Sequence, residues 1–227
     1  MKKILDLKDV NVTIGSKQIL KSINFNINSG DFILLLGPNG SGKTTLLKTC
    51  LGIIKISKGS ILFYEEKNKI QNIRKKCGYV PQRLDIDKYF PVLSKDVIEF
   101  GSPDKKFLFH LTEEFKIKEI IKKPFGLLSG GERQKILLTM ALSRKPEILF
   151  LDEPNLNLDI NAYKDFIRYV EKAKKEFNLT IIMVTHLIST IPELVNKVFV
   201  LKEGRIIIKE EPQKIFKRKN LVELVYG

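Results

Sequence analysis

The chain has 227 residues, of which 43% are hydrophobic and 29% charged, enough apolar material for the core of one large domain. No apolar run reaches the ~18 residues that a bilayer span needs, and the opening MKKILDLKDVNV lacks the continuous apolar stretch of a secretory leader, so a cytoplasmic protein is expected. The net charge of +14 comes mostly from dispersed lysines with no arginine-rich arm, which points to a solvated surface and not to a dedicated nucleic-acid groove.

In chain order, ILDLKDVNVTI and SINFNINSG alternate apolar and polar residues, the period of antiparallel strands with one buried face. DFILLLG is a continuous apolar run bounded by charge and glycine, the pattern of a buried central parallel strand. It leads into GPNGSGKTT and the helical KTTLLKTCLG, which ends at Gly52. GSILFYEE returns as a strand. From about Arg83 to Leu128 the spacing turns helical: SKDVIEFG and TEEFKIKEIIKK carry apolar residues three or four apart, with Ser94 and Thr112 as expected caps. GGERQKILLTMALSRK reads as an amphipathic helix ending before Pro146. Then come a strand (EILFLDE), a helix (DINAYKDFIRYVEKAKKEF), a strand (LTIIMVTH) and two short strands about Glu203–Gly204. The alternation predicts an α/β fold: a mainly parallel sheet, an N-terminal antiparallel β layer and an inserted helical subdomain. Cys50 and Cys77 are too few for a disulfide framework or a zinc site and read as free thiols. His110 reads as a lone exposed side chain. The basic stretch KIFKRKN near the C-terminus is at most a weak contact for headgroups.

Gly37–Thr44 fits G-x-x-x-x-G-K-[ST] between a predicted strand and a predicted helix, the context that a phosphate loop requires. The stretch Gly37, Pro38, Asn39, Gly40, Ser41, Gly42 lets backbone N–H groups wrap phosphates, helped by the helix dipole. Lys43 supplies a point charge to the β- and γ-phosphates, and Thr44 a hydroxyl ligand for Mg²⁺. Asp152 and Glu153 end an apolar strand, and parallel strands converge at their carboxyl ends on a ligand crevice. Asp152 is therefore a candidate to reach Mg²⁺ through water, and Glu153 to polarise the attacking water. Gln82, after GYVP, is a candidate to ligate Mg²⁺ or hold a water, and His186 to bond the γ-phosphate or the attacking water. LLSGGERQK holds a second anion-binding nest, Ser129, Gly130 and Gly131, at a predicted helix start.

Taken in order, GPNGSGKTT, VPQ, LSGGERQ, ILFLDEP, NLD and VTH resemble the ATP-binding cassette (ABC) ATPases, over essentially the whole chain. The resemblance implies one domain over 1–227, with a helical subdomain at 83–135 that carries the signature. It implies ATP and Mg²⁺ as ligands and a head-to-tail dimer with two ATPs between the subunits. Ser129, Gly130 and Gly131 would then face ATP held by the partner's phosphate loop, Thr45 included. Asp159 would lie in the loop crossing the interface, Gln82 would sense the γ-phosphate, His186 would stabilise the transition state and Glu153 would be the general base. A transporter motor implies a separate membrane permease, a peripheral position on the inner membrane face and an extracytoplasmic substrate-binding protein.

GYVPQRLDIDKYFPVLSKDVIEFG and KKPFGLLSGGE further resemble the zinc/manganese branch of metal-ion importers, so a divalent metal is the expected cargo. Alternatives are a motor for another substrate, or a soluble ABC ATPase acting on nucleic acid or ribosomes; the coiled-coil arm and paired cassettes of those types are missing here. A non-hydrolysing scaffold subunit is disfavoured by the intact Lys43, Asp152, Glu153 and His186. Two positions depart from the family. Ile14 occupies the place of an adenine-stacking aromatic, and Leu187 that of an aspartate after the histidine.

Overall fold

A computed structural model describes residues 2–226 except 65, 68–74, 85, 87–89, 102–103, 157, 187–190 and 219, with backbone alone at 66, 67 and 224. Leu187 and parts of 83–135 thus lie outside the described residues.

Two long strands, β1 (Lys3–Ile14) and β2 (Lys17–Asn28), pair antiparallel. With β4 (Lys58–Phe63) and β5 (Glu66–Lys67) they form a four-stranded sheet in the order β2-β1-β4-β5. The second sheet has β3 (Phe32–Leu36), β6 (Cys77–Val80), β7 (Ile148–Asp152), β8 (Thr180–Val184), β9 (Lys197–Lys202) and β10 (Arg205–Glu210). Its order is β10-β9-β3-β8-β7-β6, parallel throughout except for the β9–β10 hairpin.

The central strands β3, β7 and β8 are buried at every position, and apolar except for Asp152 and Thr180, because each faces two cores. Phe32, Leu34, Leu36, Leu149, Leu151, Ile181 and Met183 pack into a cluster on the helical side. Ile33, Leu35, Ile148, Phe150, Ile182 and Val184 pack into a second cluster with β1, β2 and α1 (Lys43–Cys50). Successive side chains on a strand point to opposite faces, so one apolar run stitches the two cores together. Burial of this kind contributes roughly 1.5–3 kcal/mol per large side chain.

Between β6 and β7 lie α2 (Ser94–Glu99), α3 (Lys105–Glu114), two single 3₁₀ turns (Ile120–Lys122, Phe125–Leu127) and α4 (Gly130–Leu142). The expected caps are corrected here. Leu93 is the N-cap of α2, with Asp96 Oδ2 accepting its N–H at 3.0 Å, while Ser94 Oγ donates to Lys123 O at 2.8 Å. Thr112 sits inside the last turn of α3, whose cap is Asp104, accepting Phe107 N–H at 2.9 Å. The helix expected to start at Thr112 therefore ends near there, after Glu114, and Lys116 takes a left-handed φ of 53°. α4 is also not one-faced: Ile136, Leu137, Leu138 and Thr139 are all buried. It lies directly on β6, where a Cβ on Gly78 would meet Ala141 O at 2.5 Å. A helix covered on more than one side loses the simple amphipathic stripe.

α5 (Ile160–Phe177) starts at Asp159, whose carboxylate accepts Asn161 and Ala162 N–H groups at 2.9 and 2.8 Å. It ends at left-handed Asn178. The starts of α4 and α5 adjoin, since a Cβ on Gly131 would lie 3.3 Å from Ala162 Cβ. Two short C-terminal helices that the sequence pattern does not announce, α6 (Pro212–Ile215) and α7 (Leu221–Tyr226), bury Ile215, Leu221 and Val225. Among the described residues no helix is long and apolar enough to cross a membrane.

Candidate active site

The strand order decides the site. β3, β8, β7 and β6 are neighbours and parallel, so their carboxyl ends bring the phosphate loop, His186, the Asp152–Glu153 pair and Gln82 to one edge.

The loop from Gly37 to Gly42 joins β3 to α1. Gly37 has φ 147° and Gly42 φ 105°. A Cβ on Gly37 would lie 2.0 Å from Leu201 O, a backbone atom that cannot step aside. Gly37→Ala is expected to cost on the order of 1–3 kcal/mol from the conformation alone, with the clash added. Urea unfolding reads the cost, and an unchanged midpoint would mean that β3 and β9 separate freely at this end. The loop is backed by the β9–β10 turn, where Gly204 N–H donates to Ser41 O at 3.1 Å.

Lys43 is buried, and its ammonium donates to Gly37 O and Pro38 O, both at 2.9 Å. Burial pushes its pKa below the usual lysine value, against the pull of Glu153 and Asp152. Thr44 Oγ1 donates to Asp152 Oδ1 at 2.9 Å, and Tyr79 OH to Asp152 Oδ2 at 3.2 Å. Burial raises the Asp152 pKa, opposed by these two donors. Glu153 is ringed by three partners. Gln82 Nε2 donates to Oε2 at 3.1 Å, His186 Nδ1 lies 3.6 Å from that oxygen, and Lys43 Nζ stands 3.9 Å from Oε1. Glu153 also holds a left-handed φ of 45°, with its N–H on Val184 O at 3.0 Å. A non-glycine residue held there stores strain that the β7–β8 pairing supports.

These residues fit a nucleotide with Mg²⁺. Ser41 Oγ is buried with no hydrogen-bond partner among the described residues, and a buried ammonium held mainly by carbonyls is suited to a phosphate. Thr44 and Asp152 offer hard oxygen donors, the chemistry that Mg²⁺ takes.

Gln82, Asp152, Glu153 and His186 thus come together with Lys43 and Thr44. Ser129, Gly130 and Gly131 form the start of α4 instead. There Ser129 Oγ accepts Glu132 N–H at 3.3 Å and Glu132 Oε2 accepts Ser129 N–H at 2.9 Å, a reciprocal cap. Gly130 shares a cleft of about 350 Å³ with Gln82. Asp159 spends its carboxylate on the start of α5. Ile14 is 51% exposed at the end of β1.

Sequence reasoning missed four contributors. Tyr79 holds Asp152, and a tyrosine near the end of a short strand is its only trace in the sequence. Asn155 is buried and accepts from Thr185 Oγ1 at 3.2 Å, tying the segment after β7 to the end of β8. Gly204 backs the loop from far along the chain, and a Cβ there would meet Ile19 O at 2.1 Å. Tyr226 of α7 donates to His186 O at 2.6 Å, a contact that no motif announces.

A glycine-wrapped, buried ammonium beside a hydroxyl–carboxylate pair at the carboxyl edge of a parallel sheet defines a phosphate-loop ATPase. Residues 20–156 match the ABC transporter family, and the chain belongs to it as an ATPase subunit. The zinc uptake system ATP-binding protein ZurA of Listeria monocytogenes serovar 1/2a is 32% identical over 211 residues, covering 87% of this chain and 82% of the relative. The zinc import ATP-binding protein ZnuC of Buchnera aphidicola subsp. Baizongia pistaciae is 31% identical over 225 residues, covering 99% and 91%. The solved structure of cbiO1 from Clostridium perfringens, part of the ABC transporter complex cbiONQ, superposes with a TM-score of 0.84 at 31% identity. That match covers 98% of this chain and 94% of the other.

Proposed function

We infer that this chain hydrolyses Mg-ATP in a head-to-tail dimer to drive a membrane permease importing a divalent metal ion, zinc first. The observation that carries the ATPase half is the ring of Gln82, His186 and Lys43 around Glu153. The relatives named for zinc uptake support the cargo.

In this reading the backbone of Gly37–Gly42 and the Lys43 ammonium hold the β- and γ-phosphates. Glu153 takes a proton from the attacking water as its oxygen bonds to the γ-phosphorus. The bond to the β–γ bridging oxygen breaks, and ADP and phosphate leave. Gln82 and His186 orient Glu153 and the water, and Lys43 offsets charge on the phosphoryl oxygens. Thr44 and Asp152 would hold Mg²⁺, which when bound neutralises charge on the β- and γ-phosphates. Ser129, Gly130 and Gly131, unused by this chain's own phosphate loop, serve nucleotide held by a second copy, and Asp159 stands beside them at that interface. The segment 83–135 couples the γ-phosphate at Gln82 to the permease, and the chain sits at the inner membrane face through that permease. An extracytoplasmic binding protein completes the import system.

Deleting the chain in its host is expected to lower uptake of radiolabelled zinc, with wild type restoring it and Glu153→Gln failing to do so. Unchanged zinc uptake alongside a loss for another solute would overturn the cargo and leave the motor.

A further inference from the structure

In the sequence His110 stands as a lone exposed side chain; the structure keeps it exposed and corrects only its isolation. His110 and Glu114 are one turn apart on α3, and Glu176 faces them from α5. His110 Nε2 lies 2.6 Å from Glu176 Oε1, and one ligand atom from each of the three residues falls within 4.8 Å of the others. The geometry points to a binding site for a borderline divalent metal such as Zn²⁺, made by His110, Glu114 and Glu176 and bridging α3 to α5.

Three features separate this trio from ordinary surface charge. Its donors are one imidazole nitrogen and two carboxylates, both ligand types that zinc binds. They come from two helices, so the trio exists only in the folded chain. The imidazole is also bracketed. Phe107 stacks on it at 6.3 Å between centroids, and Phe177 meets it edge-on at 6.4 Å. Those two rings pack against each other at 5.0 Å. An imidazole held this way loses little rotamer freedom on binding.

A cation already stands at the site. The Lys172 ammonium, one turn before Glu176 on α5, is paired with Glu114, and Glu114 and Glu176 both raise its pKa. A metal would take over Lys172's role beside Glu114 and replace the contact between His110 and Glu176. Lys172 remains close, which moderates the affinity. The trio is remote in function from Lys43, Asp152 and Glu153, and the inference stands whichever solute the permease carries.

The test uses the full chain without nucleotide or Mg²⁺, titrated with Zn²⁺ against a chromophoric chelator. One ion per chain is expected with a dissociation constant below about 100 μM, together with a rise in melting temperature as α3 and α5 are tied. His110→Gln and Glu176→Gln are each expected to weaken binding at least about tenfold and to abolish the melting shift, with unchanged circular dichroism. His186→Gln, at the ATPase site, should bind Zn²⁺ as wild type does. The proposal is overturned if wild type binds no Zn²⁺ in that range, if both trio variants bind it equally well, or if only His186→Gln loses it.

Discussion

Glu153→Gln is expected to lower ATP turnover by about 10²–10⁴, the range that a positioned general base contributes, with nucleotide binding retained. Glutamine keeps the side-chain shape and tolerates the backbone that Glu153 adopts no worse, so the turn after β7 should survive. Its amide oxygen can still accept from Gln82, whose Nε2 now lies 3.1 Å from Oε2. What disappears is the negative charge 3.9 Å from Lys43. That leaves the buried ammonium freer for phosphate, so affinity for ATP should hold or rise. Steady-state phosphate release, equilibrium binding of a fluorescent ATP analogue and mass in solution check the three parts. Slow turnover with an ATP-dependent dimer supports both the base and the shared site. Turnover at the wild-type rate would move the base elsewhere.

Ser129→Asp tests the second nest without disturbing its helix. Ser129 is the N-cap of α4, and aspartate caps a helix about as well as serine does, with a favourable dipole term added. Stability should therefore change by less than about 0.5 kcal/mol. If Ser129 faces a phosphate held by a second copy, the new carboxylate meets it as a like charge. Such a contact at about 4 Å costs on the order of 4 kcal/mol at an effective dielectric of 20. Turnover should fall by about 100-fold or more, while ATP binding by the isolated chain stays intact. Normal turnover at normal stability would remove Ser129–Gly131 from the nucleotide site.

The phosphate loop, the carboxylate pair and the order of the elements are legible in the amino-acid sequence by itself. Each rests on a local rule: glycines where backbone must approach phosphate, apolar runs where strands are buried on both faces, Gly52 where a helix stops. Local rules failed between β6 and β7. The caps there are Leu93 and Asp104, not Ser94 and Thr112, because Ser94 is drawn to Lys123 O, and the turn at Lys116 ends the helix early. α4 was legible as a helix, but its cover on several sides was not.

What sequence alone could not decide is how far-apart residues meet. Gln82 and Glu153 are 71 residues apart, Gly204 and Ser41 far more, and each pair touches because β9, β3, β8, β7 and β6 lie side by side. Tyr79 on Asp152, Tyr226 on His186 and Glu176 on His110 are likewise brought together by the tertiary fold. A motif records what one stretch of backbone can do for a ligand. Sheet order and helix packing, set by burial over the whole chain, decide which side chains share a site.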